Sequence, residues 1–293
     1  MGSLLTAVKT KMYIFAHRRA RGMLDGEYAS IFRGRSLDFD DLRAYVPGDE
    51  VRDIDWKATA RTGTPLIKRY VATRRQQLLF VTDTGRNMAA VARGGEAKKD
   101  LAVMAMGVLG SLALAHGDSV ALVHGAGADS VAFPAKGTES HLEQLLRCVD
   151  AASLTHGPSD LCARLEYAAS HYRRRMLLVI IADDVPASER LATVLRRLAA
   201  QHEVLWVQLA DAALAGAEAV QGHAVGAAGL EQVHVLLAQD PRLARSYADA
   251  VARRSQELAQ LLSRRGIATA TIAHSDEAVG QVFALLERHR RAR

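Results

Sequence analysis

Hydrophobic and polar positions follow two different patterns on either side of residue 75. Before it the chain is irregular and highly charged, whereas beyond it short apolar runs alternate with segments that carry leucines at helical spacing. The apolar runs predict strands at 78–83, 119–125 and 176–184, and the spaced leucines predict helices at 97–116, 138–153, 159–172 and 188–201. Seven successive apolar residues open the run at 176–184, as is typical of a strand covered on both faces. The alternation predicts a doubly wound, mostly parallel α/β sheet.

The C-terminal part of the chain continues the same pattern. Asp240 followed by Pro241 predicts the start of a helix, and Gly266 predicts its end. Residues 268–273 predict one more strand, and a last helix follows Ser275. We therefore predict a helix- and loop-rich charged extension at 1–75 and an α/β domain at 76–293.

Composition and charge exclude several classes of protein. The chain has 293 residues, of which 49% are hydrophobic, so it can bury a sizeable core and is not disordered. The net charge of +6 is mild and the aromatic content is 5%, so we expect no nucleic-acid partner. The longest uncharged run, 101–115, is too short for a transmembrane segment. Two lone cysteines, Cys148 and Cys162, suit a reducing cytoplasm.

Catalytic motifs are missing from the sequence. It contains no phosphate-binding G-x-x-x-x-G-K-[ST], no G-x-S-x-G and no H-E-x-x-H, and its histidines are dispersed. These observations favour a non-enzymatic protein. The alternative is a Rossmann-like enzyme that uses Asp83 and Asp183 on a phosphate- or nucleotide-containing substrate, although no nucleophile and base stand out.

The most distinctive stretch of the sequence is 33–70. It contains G-R-S-L-D-F at 34–39, L-R-A-Y-V-P-G-D-E-V-R-D-I-D-W at 42–56 and A-R-T-G-T-P-L at 60–66. This stretch resembles the signature of the bacterial "domain of unknown function 58" family. The resemblance implies a von Willebrand factor A-like domain behind an N-terminal extension, and a MoxR-type AAA+ ATPase as partner. We therefore expect a protein–protein interaction module that serves as an adaptor or assembly partner of such an ATPase.

Arginines, aspartates and aromatic residues carry this signature. Pro47-Gly48 suits a tight turn, and the arginines can hold the aspartates bidentately. We expect these residues to hold the extension together, with Tyr45, Ile54 and Trp56 as its anchors on the main domain. A docking surface for a partner is the alternative. The signature residues are Arg43, Tyr45, Gly48, Asp49, Arg52, Asp55, Trp56 and Arg61.

The resemblance also implies a metal-ion-dependent adhesion site above the strand ends. The family-type D-x-S-x-S reads D-T-G-R-N here, so that glycine occupies position 85, where a serine would supply a ligand. By position, Ser159 replaces a threonine ligand, and Asp183 or else Asp184 replaces the distal aspartate. Since Mg²⁺ needs about six oxygens, we expect a degenerate site. Its ligands would be Asp83, Asn87, Ser159 and Asp183.

Overall fold

The computed structural model describes residues 2–18, 38–46, 49–71, 76–213 and 240–291. The chain forms two compact units. The larger consists of Met1–Ile31 together with Gln77–Arg293, and the smaller of Phe32–Gln76. The boundary between Gln76 and Gln77 lies next to the change in sequence pattern at residue 75. The first helix, which the sequence groups with the extension, packs in the larger unit against helices formed by residues 98–115 and 139–150.

A mostly parallel sheet is the centre of the larger unit. Its strands in the described residues are β3 (Gln77–Thr82), β4 (Ser119–His124), β5 (Val131–Lys136), β6 (Leu177–Ala182), β7 (Glu203–Leu209) and β8 (Ala268–Ile272). They lie in the order β5-β4-β3-β6-β7-β8, and of these six only β5, at one edge, is antiparallel to its neighbour. The predicted doubly wound, mostly parallel sheet is confirmed.

Helices cover both faces of this sheet. One face carries α1 (Leu4–Arg18), α3 (Lys98–Ala115), α4 (Glu139–Asp150) and α8 (Ala278–Arg291). The other carries α5 (Leu161–His171), α6 (Glu189–Gln201) and α7 (Pro241–Ser263), which pack on Leu79, Val81 and Ile180. Every residue of β6 is buried, which explains its uninterrupted apolar run. No helix in the described part of the chain is long and apolar enough to span a bilayer.

The smaller unit is built on an antiparallel pair, β1 (Asp38–Ala44) and β2 (Leu66–Val71). Between them lie a short 3-10 helix (Val51–Asp53) and the two-turn helix α2 (Trp56–Thr62). Asp55 caps α2 by accepting hydrogen bonds from the backbone of Lys57 and Ala58, both 3.0 Å long. The helix ends at Gly63, whose φ of 74° suits glycine.

Two buried histidines make the stability of the larger unit dependent on pH. Burial lowers the pKa of His141 and of His202, so both resist protonation in the folded protein. In the unfolded chain they take up protons below about pH 6.5. The unfolded state then binds more protons, and stability is lost as the pH falls from 7 toward 5, by at most about 1.4 kcal/mol per pH unit for each histidine.

Urea denaturation at pH 7.5, 6.5 and 5.5 checks this expectation. The midpoint falls with pH in the natural chain, and His141→Gln makes the fall shallower. The control is His171→Gln at an exposed position, which leaves the slope unchanged. A midpoint that is constant over this range contradicts the prediction.

Candidate functional site

Three aspartates lie at the carboxyl edge of the sheet. Asp83 directly follows β3, Asp183 directly follows β6, and Asp211 lies just beyond β7. These strands are parallel neighbours, so their carboxyl ends meet at one edge. This edge is where open α/β sheets place their ligands.

Both oxygens of the Asp83 carboxylate accept backbone hydrogen bonds. Oδ1 accepts from the N–H of Gly85 at 2.5 Å, and Oδ2 accepts from the N–H of Asp160 at 2.8 Å. Burial raises the pKa of Asp83, while these hydrogen bonds and the charge of Arg164 oppose the rise. Asp83 therefore clamps the loop after β3 to the start of α5.

The loop after β3 closes tightly on the segment that precedes α5. A β-carbon built on Gly85 would lie 2.7 Å from the Ser159 hydroxyl, 2.8 Å from Asp83 Oδ1 and 2.9 Å from the Ser159 backbone nitrogen. The Arg86 N–H also donates to the Gly157 carbonyl at 3.1 Å. Glycine is therefore required at position 85 by this close approach. The N-cap of α5 is Asp160.

A buried lysine that the sequence analysis missed connects the other two aspartates. Lys98 begins α3, and its side chain is 3% exposed. Its ammonium lies 3.3 Å from Asp183 Oδ2 and 2.8 Å from Asp211 Oδ1. Burial alone would lower the pKa of Lys98, but the two carboxylates outweigh burial and raise it, so the ammonium stays charged. The sequence held one indication of this pairing: a lysine at the start of a helix is unfavourable unless an acidic group compensates its charge.

Of the two candidate distal aspartates, Asp183 is the one that pairs with Lys98. The side chain of Asn87 hydrogen-bonds to Asp183, which brings the loop after β3 into contact with the end of β6. Asp184 instead pairs with Arg254 of α7, at 3.3 Å. The structure thus brings Asn87, Asp183 and Lys98 together and directs Asp184 elsewhere.

A fully buried arginine holds the loop after β4, and the sequence analysis also missed it. Arg164 of α5 donates from Nε to the Ser130 hydroxyl at 2.9 Å and from Nη2 to the Gly127 carbonyl at 2.8 Å. It thereby fixes the connection between β4 and β5. The sequence could have indicated that Arg164 is buried, since it lies three residues from Leu161 and four from Ala168 on the buried face of the helix.

These contacts do not fit the coordination shell of Mg²⁺. Both oxygens of Asp83 already bind N–H groups, position 85 has no room for a ligand side chain, and an ammonium lies against Asp183. Magnesium would need a near-octahedral set of oxygens in this place. Within the described ranges, no three His, Cys, Asp or Glu side chains are grouped so that they could hold a metal.

The signature residues form a hydrogen-bonded scaffold in the smaller unit. Arg43 binds Asp49 through two hydrogen bonds of 2.7 and 2.6 Å, and these bonds hold the pKa of Asp49 below its usual value. The Tyr45 N–H donates to the Pro65 carbonyl at 2.9 Å, and Arg61 Nε to the Lys57 carbonyl at 3.3 Å. The turn predicted at Gly48 and the side chain of Arg52 lie outside the described residues.

Trp56 is an exposed member of the signature. Its side chain is 63% exposed, whereas Ile54, likewise predicted as an anchor, is buried. The reason is local, because α2 is short and buries only Ala58. Val46 and Val51 are also more than half exposed, at 56% and 59%. We call Val46, Val51 and Trp56 the exposed apolar segment.

A cavity of about 520 Å³ lies between β7, β8 and α7, next to the site. Asp184, Asp211 and Tyr247 form polar parts of its wall, and Trp206 and Val251 form apolar parts.

Comparison with known sequences identifies one family. A family model described as "Protein of unknown function DUF58" matches residues 41–257. The uncharacterized protein Rv1480 of Mycobacterium tuberculosis (strain H37Rv) is 29% identical over 214 residues, which are 71% of this chain and 65% of that protein. An uncharacterized protein of Mycobacterium bovis, Mb1516, matches to the same extent. The chain thus spans slightly less than two thirds of the length of these curated relatives.

Comparison with solved structures finds distant similarities in fold. An aerotolerance-related membrane protein from Bacteroides fragilis matches with a TM-score of 0.45 and 12% identity, over 72% of this chain and 98% of that one. BatB from Bacteroides thetaiotaomicron gives 0.43 and 11%, over 74% and 99%. A von Willebrand factor type A protein from Catenulispora acidiphila gives 0.38 and 10%, over 74% and 43%. Similarities at this level carry no inference about function.

Proposed function

The chain belongs to the DUF58 family of proteins of unknown function, and from that premise we propose that it is a non-enzymatic protein-interaction module. Its proposed partner is a MoxR-type AAA+ ATPase, and its proposed docking surface is the exposed apolar segment. The observation that carries this proposal is the exposure of Trp56 within the matched signature. Tryptophan is strongly enriched among the residues that dominate binding energy at protein interfaces.

Hydrogen bonds hold the described residues next to Trp56 and Val46. Asp55 caps the helix that Trp56 begins, and Asp49, which binds Arg43, also accepts from the Val46 N–H at 2.9 Å. A side chain presented on a rigid support loses little conformational entropy on binding. The ion pairs and the apolar side chains thus have complementary roles, the former as scaffold and the latter as contact surface.

The charges beside Trp56 indicate what kind of surface it fits. Lys57 and Arg61 are exposed on the same short helix, one turn apart and therefore on one face. A partner that covers Trp56 should supply an apolar pocket with carboxylates at its rim.

The strand-end site supports the non-enzymatic role. Asp83 and Asp183 are the acids that a Rossmann-like enzyme would use on a phosphate or nucleotide. Both are occupied, Asp83 by backbone N–H groups and Asp183 by Lys98 and Asn87. A general base must reach the proton that it abstracts, and these carboxylates are held by other groups.

We place the proposed module in the cytoplasm. Cys148 and Cys162 are free thiols, and burial raises the pKa of both. Thiols of this kind are unreactive and suit a reducing compartment.

Trp56→Ala is expected to weaken binding to a MoxR-type ATPase by at least about tenfold. The loss follows from removing the largest exposed apolar side chain of the segment. Isothermal titration calorimetry with the purified ATPase measures it, with the melting temperature as a check on folding.

The matched control is Leu154→Ala, which truncates a side chain that is 60% exposed in the larger unit. It is expected to bind as the natural chain does. Equal affinities of the natural chain and Trp56→Ala would refute the docking surface, and no binding by the natural chain would refute the partner.

A further inference from the structure

The ammonium of Lys98 occupies a position where a strand-end cation would bind. It lies between the carboxylates that follow two neighbouring parallel strands, β6 and β7, at distances of 3.3 and 2.8 Å. Asp183, the residue that corresponds by position to a distal metal ligand, is one of these carboxylates. The cation at this edge of the sheet is therefore a lysine side chain of the protein itself.

The position of Lys98 in its helix shows that the carboxylates hold it there. A lysine at the first residue of a long helix faces the positive end of the helix dipole. Burial adds a second unfavourable contribution, because a buried charge is stable only when it is paired. Asp183 and Asp211 offset both effects, so the lysine and the two acids form one mutually dependent cluster.

The contacts around Asp83 and Gly85 likewise form without a metal ion. The backbone N–H groups of Gly85 and Asp160 donate to the two oxygens of Asp83, which a metal ion would otherwise use as ligands. The missing serine at position 85 is replaced by direct contact with Ser159, which leaves no space for a β-carbon. A divalent ion bound to Asp183 would share that carboxylate with the Lys98 ammonium, and the two cations would repel each other.

We propose that Lys98 is the built-in cation of the strand-end site, that it excludes divalent ions there, and that its removal turns Asp183 and Asp211 into a divalent-cation site. The arrangement makes the strand-end surface independent of metal supply and of chelators. This inference concerns the larger unit alone and stands apart from the proposed docking through Trp56.

Manganese titration of three full-length chains tests the proposal. The natural chain and Lys99→Ala are expected to bind no Mn²⁺ up to about 1 mM. Lys99 is the matched control, because its ammonium is one residue away in the same helix but bonds to the Asp150 carbonyl at 2.6 Å. Lys98→Ala is expected to bind Mn²⁺ in calorimetry, and its melting temperature is expected to rise by roughly 5 °C when the ion is present at 100 times its dissociation constant.

Lys98→Gln serves if Lys98→Ala does not fold, since glutamine removes the charge and keeps a polar side chain beside the carboxylates. Two results would overturn the proposal. One is Mn²⁺ binding by the natural chain that is lost in Asp183→Asn. The other is a folded Lys98 variant that binds no Mn²⁺, because Lys98 would then not be what excludes the ion.

Discussion

Lys98→Met is expected to lower the free energy of unfolding by about 3 kcal/mol. The variant keeps the length and the apolar stem of the side chain but leaves Asp183 without its cation. Asp183 is buried, so water cannot replace the lost partner, and removing one member of a buried ion pair is strongly destabilising. Asp211 contributes little to the loss, because its side chain is 50% exposed and water can solvate it.

Urea denaturation at neutral pH measures this loss. Lys99→Met, at a partly exposed position of the same helix, should remain within about 0.5 kcal/mol of the natural chain. The double variant Lys98→Met with Asp183→Leu should recover part of the loss, because an apolar pair of similar volume can replace a buried ion pair at little cost. A single Lys98→Met variant as stable as the natural chain would show that the ion pair does not hold the two strand ends.

Gly85→Ser is expected to destabilise the protein by about 2–3 kcal/mol, although it restores the serine of the D-x-S-x-S pattern. The new β-carbon would lie within 3 Å of the Ser159 hydroxyl, the Asp83 carboxylate and the Ser159 backbone nitrogen. A hydroxyl can rotate away, but the backbone nitrogen moves only if the segment before α5 moves with it. The Asp160 N–H that binds Asp83 belongs to that segment, so its hydrogen bond is weakened as well.

Gly157→Ala is the matched control for this substitution. It places a β-carbon in the facing segment, where the nearest atoms are the Gly127 nitrogen at 3.8 Å and the Ala126 β-carbon at 4.0 Å. We expect a change within about 0.5 kcal/mol, measured by urea denaturation alongside Gly85→Ser. If Gly85→Ser proves as stable as Gly157→Ala, the tight closure of the loop on Ser159 is not present in solution.

The sheet could be predicted from the sequence because its strands are buried on both faces. Residues 176–182 are apolar without interruption, and the structure buries all of β6 between two helix layers. The helix starts at Ser188 and Asp240 could be predicted for a similarly local reason, since each side chain caps backbone N–H groups within three residues of itself. Features that depend on residues close together in the sequence could therefore be predicted.

The candidate site could be predicted only in part, because its chemistry depends on contacts between distant segments. Asp83 and Asp183 could be placed at the sheet edge from strand order alone. The partner of Asp183 could not, since Lys98 lies 85 residues away along the chain. The exposure of Trp56 was equally inaccessible, because an aromatic residue at the start of a short helix has the same local pattern whether or not another surface covers it.

The strand order of the sheet has a consequence for how the chain folds. β3, β4 and β5 are neighbours both in sequence and in the sheet, and so are β6, β7 and β8. Among the described strands, the two halves of the sheet are joined by the pairing of β3 with β6, where the Thr82 hydroxyl donates to the Ile181 carbonyl across 99 residues. Each half can form from comparatively local contacts, whereas the central pairing must close a long loop. We therefore expect the strand-end cluster, in which Asn87 and Lys98 of the first half contact Asp183 of the second, to be completed when the two halves join.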